Sequence, residues 1–271
     1  QNHALINNNS GDQAGILSQG SLEIANVSQL DNISGYIAAI GSATITAQNL
    51  NNNKGQINSQ ADLSIQQQAS GGRVDNLAGQ IQAQQNVTLN ADSINNSGTG
   101  SHIVAGETLS ITANKVINAQ TKDATVIAGL DGKNIEINAA ELDNQSGVIR
   151  ATDNAALNIR NILSNQSGSI SSVNILSVGT ADKTLNVNNT GGELLAKNQL
   201  NLKANELVNK GKIISEGNID IDLKQSYTHT KDDQIAANGT LKLSTEQDLI
   251  NQSELTAGQK IELSAKNIKN E

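Results

Sequence analysis

Apolar and polar positions along the chain follow one motif, seen most plainly from Leu142 to Ile159 (LDNQSGVIRATDNAALNI). An apolar residue is followed two places on by Asn (Leu142, Asn144). Gly147 then leads into a short alternating strand that carries Ile149 and Ala151 on one face. After a turn comes a second alternating stretch with Leu157 and Ile159. Alternation of period two over four to eight residues marks a half-buried β-strand, not a helix.

The spacing [Ile/Leu]-x-[Ala/Ser]-x3-apolar-x-[Ile/Leu] recurs unchanged in nine copies that start at residues 16, 37, 57, 81, 103, 194, 213, 235 and 255. Three looser copies fill the middle. Val126 and Ala128 lead to Ile135 and Ile137, and Ile149 and Ala151 lead to Leu157 and Ile159. Ile170 and Ser172 are separated from Leu185 and Val187 by an insertion over 171–184. The twelve starts lie 19 to 24 residues apart.

A second register runs beside the first, with Asn at 32, 52, 76, 96, 118, 144, 165, 189, 209, 251 and 270. One rung is missing between Asn209 and Asn251, where the chain reads Tyr227-Thr228-His229. Fixed periods of this length indicate a solenoid whose coils each touch only their neighbours. Two alternating strands, a tight turn and a third short side close one coil. The expectation is therefore an all-β chain: a right-handed parallel β-helix (solenoid) of about twelve coils of roughly 20 residues. An Asn at one position of every coil would stack into a ladder of side-chain amides. Residues 1–271 read as a single β-helical repeat fragment. A leucine-rich repeat and a calcium-binding nonapeptide roll are excluded by their consensus spacings, and a helical solenoid by the alternation.

Composition sharpens this reading. Phe, Trp, Met, Pro and Cys are absent, only Tyr36 and Tyr227 are aromatic, and there are 38 Asn. A spherical core relies on large aromatic side chains, whereas stacked aliphatics suit a narrow column. Without Met, the chain is expected to be a piece of a longer or processed product. No apolar run approaches the ~20 residues that cross a bilayer. A net charge of -8 argues against a nucleic-acid partner, since phosphate binding needs basic patches. Residues 1–190 carry 22 charged side chains and residues 191–271 also carry 22, so coils from about 191 present a more charged face.

The repeated halves LDNISGYIAA and LNNNKGQINS, followed by ETLSITA and QKIELSA, resemble the repeats of the filamentous haemagglutinin family over essentially the whole chain. These are large exoproteins exported by two-partner secretion in Gram-negative bacteria. The family includes adhesins, cytolysins and contact-dependent growth inhibition exoproteins with a C-terminal toxin. The resemblance implies a structural shaft of a secreted or surface exoprotein, outer-membrane associated, that presents a distal binding or toxin domain. It implies as partners an outer-membrane transporter, engaged through a domain outside this chain, and a cell-surface receptor. The alternative is a receptor- or glycan-binding module that uses side loops of the β-helix.

No catalytic, cofactor-binding or metal site is expected, and no small-molecule substrate. His3, His102 and His229 lack metal-ligand spacing. Asp220 and Asp222 alternate onto the outward face of a strand. Gly71-Gly72 and Gly191-Gly192 are turn glycines without a phosphate-loop context. Sequons at Asn86, Asn144 and Asn165 are of the frequency that abundant Asn and Ser produce. The one interruption worth a contact site is QSYTHTKDDQ, an irregular coil over 225–234, with Tyr227, His229, Lys231, Asp232 and Asp233 as candidates for ligand or receptor contact. Binding residues concentrate on loops carried by rigid scaffolds. The 171–184 insertion is the second candidate.

Overall fold

The computed structural model describes residues 3–10 and 14–271, which form thirty β-strands. The fold is all-β, a parallel β-solenoid of about 13 turns with about 21 residues per turn. Contacts cluster into two units, Gln1–Ala139 and Ala140–Glu271.

In the first unit each coil has three sides, and like sides stack in parallel register. On one side β2 (Ile16–Ser18), β4 (Tyr36–Ala39), β6 (Gln56–Ser59), β9 (Gln80–Ala83) and the start of β12 (His102–Ile117) align Ile16, Ile37, Ile57, Ile81 and Ile103. On the next, β3 (Leu22–Asp31), β5 (Ala43–Asn51), β7 (Leu63–Gln66), β10 (Val87–Asn90) and the middle of β12 stack Ile24, Ile45, Ile65, Leu89 and Ile111. The third side stacks Leu30, Leu50, Val74, Ile94 and Val116. Apart from the half-buried Ile16, these columns are buried, so each coil hides one face of every strand and turns the other to water. A first short strand, β1 (Ala4–Ile6), pairs with Gln29–Asp31 and belongs to a coil ahead of the first expected start. This adds to the twelve coils read from the pattern.

The second unit repeats the arrangement. β14 (Val148–Ala151) and β16 (Ser169–Ser172) set Ile149 beside Ile170. β15 (Ala155–Ser164) pairs with β17 (Ile175–Val178), which places Ala155 beside Leu176 and Leu157 beside Val178. Two of the three looser copies are thus regular. Ile149, Ala151, Ala155 and Leu157 keep the common spacing, as do Ile170, Ser172, Leu176 and Val178. Leu185 and Val187 belong instead to the third side, where β18 (Asn186–Asn188) pairs with Ile162–Ser164. The insertion shrinks to the loop 179–184, because β16 and β17 occupy most of 171–178. The third looser copy starts four residues later than expected: Val126 is 44% exposed, while Leu130 is buried. Its loop, over 119–128, precedes the coil and does not interrupt it.

Asparagines, all but Asn7 of them buried, hold one corner of both units. In the first, Asn7 Nδ2 donates to Asn32 Oδ1 (2.7 Å), Asn32 to Asn52 (2.7 Å), Asn52 to Asn76 (2.7 Å), Asn76 to Asn96 (2.8 Å) and Asn96 to Asn118 (2.9 Å). In the second, Asn144 donates to Asn165 (2.8 Å), Asn165 to Asn189 (2.7 Å) and Asn189 to Asn209 (2.8 Å). The same amides reach backbone carbonyls of the next coil, as from Asn32 to Gln56 O (3.2 Å) and from Asn165 to Glu193 O (3.2 Å). Hydrogen bonds in series in a low-dielectric core strengthen one another. An amide left without its neighbour would cost ~1–3 kcal/mol.

The corner also dictates glycine. A Cβ at Gly55 would lie 2.0 Å from Asn32 O, and one at Gly192 2.0 Å from Asn165 O. The turn has no room for a side chain where it crosses the previous rung.

Candidate functional site

The irregular coil lies in the second unit, where β24 (Tyr227–His229) pairs in parallel with β27 (Asp248–Asn251). Tyr227 stands opposite Leu249 and His229 opposite Asn251. His229 therefore takes the ladder position, and Tyr227 takes the apolar position two residues before it. Alternation turns both side chains inward and Thr228 outward. Tyr227 is 3% exposed and His229 is fully buried.

The imidazole partly replaces an asparagine amide. Its Nε2 lies 3.0 Å from Glu254 O. A carbonyl only accepts, so Nε2 carries the proton and Nδ1 is left as an acceptor. Nδ1 lies 3.9 Å from Asp233 Oδ2 and makes no hydrogen bond. Asn209 Nδ2, the donor that would continue the ladder, and the Tyr227 hydroxyl also lack a well-directed partner. Burial pushes the Tyr227 hydroxyl far above its ordinary pKa. The Asp233 charge pushes the same way, and the neighbouring Asn209 amide opposes both. Tyr227 is therefore a neutral phenol at any physiological pH.

Asp233 organises the turn that follows. Its Oδ1 accepts the Lys210 backbone N–H (2.6 Å), and its Oδ2 accepts the Thr230 N–H (2.6 Å) and hydroxyl (3.1 Å). A carboxylate bound by backbone N–H groups substitutes here for the tight glycine turn of coils such as those at Gly55 and Gly168. Lys231 and Asp232 sit exposed at the turn.

The five candidate contact residues do not form one surface cluster. Tyr227, His229 and Asp233 are buried parts of the coil, and only Lys231 and Asp232 face solvent. Residues of this kind signal an altered corner, and alternation from Ile221 and Leu223 would have given the inward direction. The expected contact site thus has its Tyr227 and His229 side chains inside the coil.

The other candidates are placed plainly. His102 Nε2 lies 2.6 Å from Asp131 Oδ2, half-buried. Asp222 binds Lys183 (3.1 Å), and Asp220 lies 3.8 Å from Lys242. The loop 179–184 is thereby pinned down, since Lys183 also reaches Glu246 (2.6 Å). Asn144 and Asn165 are buried in the ladder, so their sequons are closed to modification in the folded chain. Among the described residues no group of three or more His, Cys, Asp or Glu is placed to hold a metal ion.

Parallel coils, aliphatic columns and an internal amide ladder define a structural repeat protein. The haemagglutinin repeat family model matches residues 2–78, 68–129, 130–167, 176–225 and 214–270, and the chain belongs to this family. No curated protein and no solved structure matches the chain. The haemagglutinin repeats and the β-solenoid fit an adhesin-type shaft.

Proposed function

We propose that this chain is a shaft segment of a large secreted bacterial exoprotein. The segment holds a distal adhesive or toxin domain away from the cell surface, and the whole is exported through an outer-membrane partner transporter. The observation that carries this reading is the coil-on-coil strand stacking within each unit, which continues through the irregular coil although the amide ladder is interrupted there. Asparagine bonds of 2.7–2.9 Å run from coil to coil, beside aliphatic columns of nearly zero exposure. Each coil completes its neighbour, so folding can propagate coil by coil as the thread emerges. Absence of Cys suits passage as an unfolded thread.

A shaft tolerates a change in its number of coils, and a binding module does not. Ile149 and Ile170 are aligned rungs, so deleting residues 149–169 from the full-length exoprotein removes one coil in phase. The expected outcome is normal surface display with the activity of the distal domain retained. Normal display with target-cell binding abolished would transfer the function to this segment itself.

A further inference from the structure

The first unit carries an uncharged face that the shaft role does not explain. Outward positions of β4, β6 and β9 align as Tyr36, Gln56 and Gln80 in one column and Ala38, Asn58 and Gln82 in the next. No Asp, Glu, Lys or Arg lies in either column. Tyr36 is half-buried, and Gln56, Gln80 and Gln82 are exposed. Beside Tyr36 lies a groove of about 270 Å³ lined by Leu17, Tyr36, Ile40, Asn58 and Gln60. Leu17 and Ile40 are 53% and 47% exposed. Asn58 Oδ1 is shielded and accepts no hydrogen bond.

Elsewhere, outward amides pair from coil to coil. Asn86 bonds Asp62, Asn174 bonds Asp153, Asn198 bonds Asn174, and Asn205 bonds Asn186. Gln56, Asn58, Gln80 and Gln82 make no such bonds, so the amides of the three exposed glutamines and the Asn58 amide nitrogen, though not its shielded oxygen, are free for a ligand. The strands beneath are paired on both sides. Their backbone groups are therefore taken, and a peptide cannot add as a further strand. Recognition must come from side chains alone.

We propose that this face binds a neutral glycan chain, with Tyr36 stacking on the apolar face of a sugar ring and the amides of Gln56, Asn58, Gln80 and Gln82 bonding its hydroxyls. An aromatic anchor with a few convergent polar groups is the usual make-up of a small-ligand site. Tyr supplies rigid amphipathic contact area at low entropic cost. The uncharged columns offer nothing to a sulfated or sialylated chain and impose no desolvation of charge on a neutral one. Amides repeating at the coil spacing of ~4.8 Å suit an extended polymer better than a single sugar. This inference is independent of the shaft reading, because adhesion along its length leaves the mechanical role of a shaft unchanged.

The test uses the 271-residue chain on an array of neutral hexose and N-acetylhexosamine oligosaccharides beside sialylated and sulfated ones, with hits titrated in solution. Saturable binding to a neutral oligosaccharide is expected. Tyr36→Ala and Gln80→Ala should each weaken it about fivefold or more, while Tyr36→Phe keeps most of it. Thr88→Ala, outward on a different side, should leave it unchanged. Circular dichroism checks folding. If Tyr36→Ala does not fold, Gln82→Glu decides, since it alters only an exposed side chain and should weaken binding comparably. The proposal is overturned if no neutral oligosaccharide binds, if only charged ones bind, or if folded variants of Tyr36, Gln80 and Gln82 bind as the parent does.

Discussion

His229 stands directly opposite Asn251 in the pairing of β24 with β27, an imidazole filling a position that asparagine holds in the coils before it. The exchange is incomplete: Asn209 Nδ2 and His229 Nδ1 both lack hydrogen bonds, while Nε2 retains Glu254 O. His229→Asn offers Asn209 a regular acceptor and should raise stability by ~1 kcal/mol, the net worth of one hydrogen bond. His229→Leu strips the donor from Glu254 O and should lower it by ~1–3 kcal/mol. Urea midpoints of the two variants should therefore move in opposite directions. A gain for the leucine variant would mean that the buried polar groups here have no structural value.

Tyr227 makes a second prediction, at alkaline pH. Its folded pKa is raised above the ordinary 10.0, first by burial and then by the Asp233 charge. The unfolded chain releases this proton near the ordinary value and the folded chain does not. The fold therefore suffers no penalty below pH ~10 and loses stability progressively above it. Tyr227→Phe removes the ionisable group, so the alkaline unfolding midpoint should rise. In a Tyr36→Phe background, phenolate absorbance should appear only together with loss of the β-sheet dichroism signal. Absorbance that develops while the fold persists would contradict the burial of the hydroxyl.

These two residues also mark where the sequence is legible and where it is not. The apolar spacing and the Asn register gave the parallel solenoid and the ladder, because each depends on a period that alternation enforces in every coil. The same alternation misleads after Ile170. Leu185 and Val187 resemble the next strand, although Leu176 and Val178 already hold the right spacing. Ser177 and Asn174 obscured them in a polar stretch. At the irregular coil, Tyr and His read as surface chemistry because they are polar. Their position two apart, in step with Leu207 and Asn209, carried the opposite message. The unpaired amides of β6 and β9 could not be found in sequence, since Gln and Asn of the same type pair elsewhere on the molecule.

Glycine at the ladder corner gives a third prediction, because its necessity is steric. The Cβ of Gly55→Ala would fall 2.0 Å from Asn32 O and 2.6 Å from Asn52 Oδ1. Backbone on one side and a ladder amide on the other must both move, which should cost ~2–4 kcal/mol. At Gly20 nothing lies within 4 Å of the added carbon, and Gly20→Ala should change stability by no more than ~0.5 kcal/mol. Denaturation of the paired variants measures the difference. Equal effects would show that the corner relaxes freely.

The loop 179–184 supplies the last prediction. Lys183 is 14% exposed and lies 2.6 Å from Glu246 and 3.1 Å from Asp222, two acids of the neighbouring coils. Its pKa is raised, chiefly by the hydrogen bond to Glu246, against the opposing effect of burial. A cation whose folded pKa exceeds the unfolded value of 10.5 contributes its stability in full below that pH and loses it as pH rises through the folded value. Glu246 is 54% exposed, so solvent screens much of the attraction and the pair should be worth no more than ~1 kcal/mol. Lys183→Met keeps the aliphatic stem and removes the charge. At neutral pH it should accelerate amide exchange at 179–184 several-fold while leaving the strands on either side protected. At pH above the lysine's raised pKa the parent should exchange at the variant's rate. Exchange that was already equal at neutral pH would mean that Thr184, whose hydroxyl donates to Arg160 O at 2.6 Å, holds the loop without help from the ion pairs.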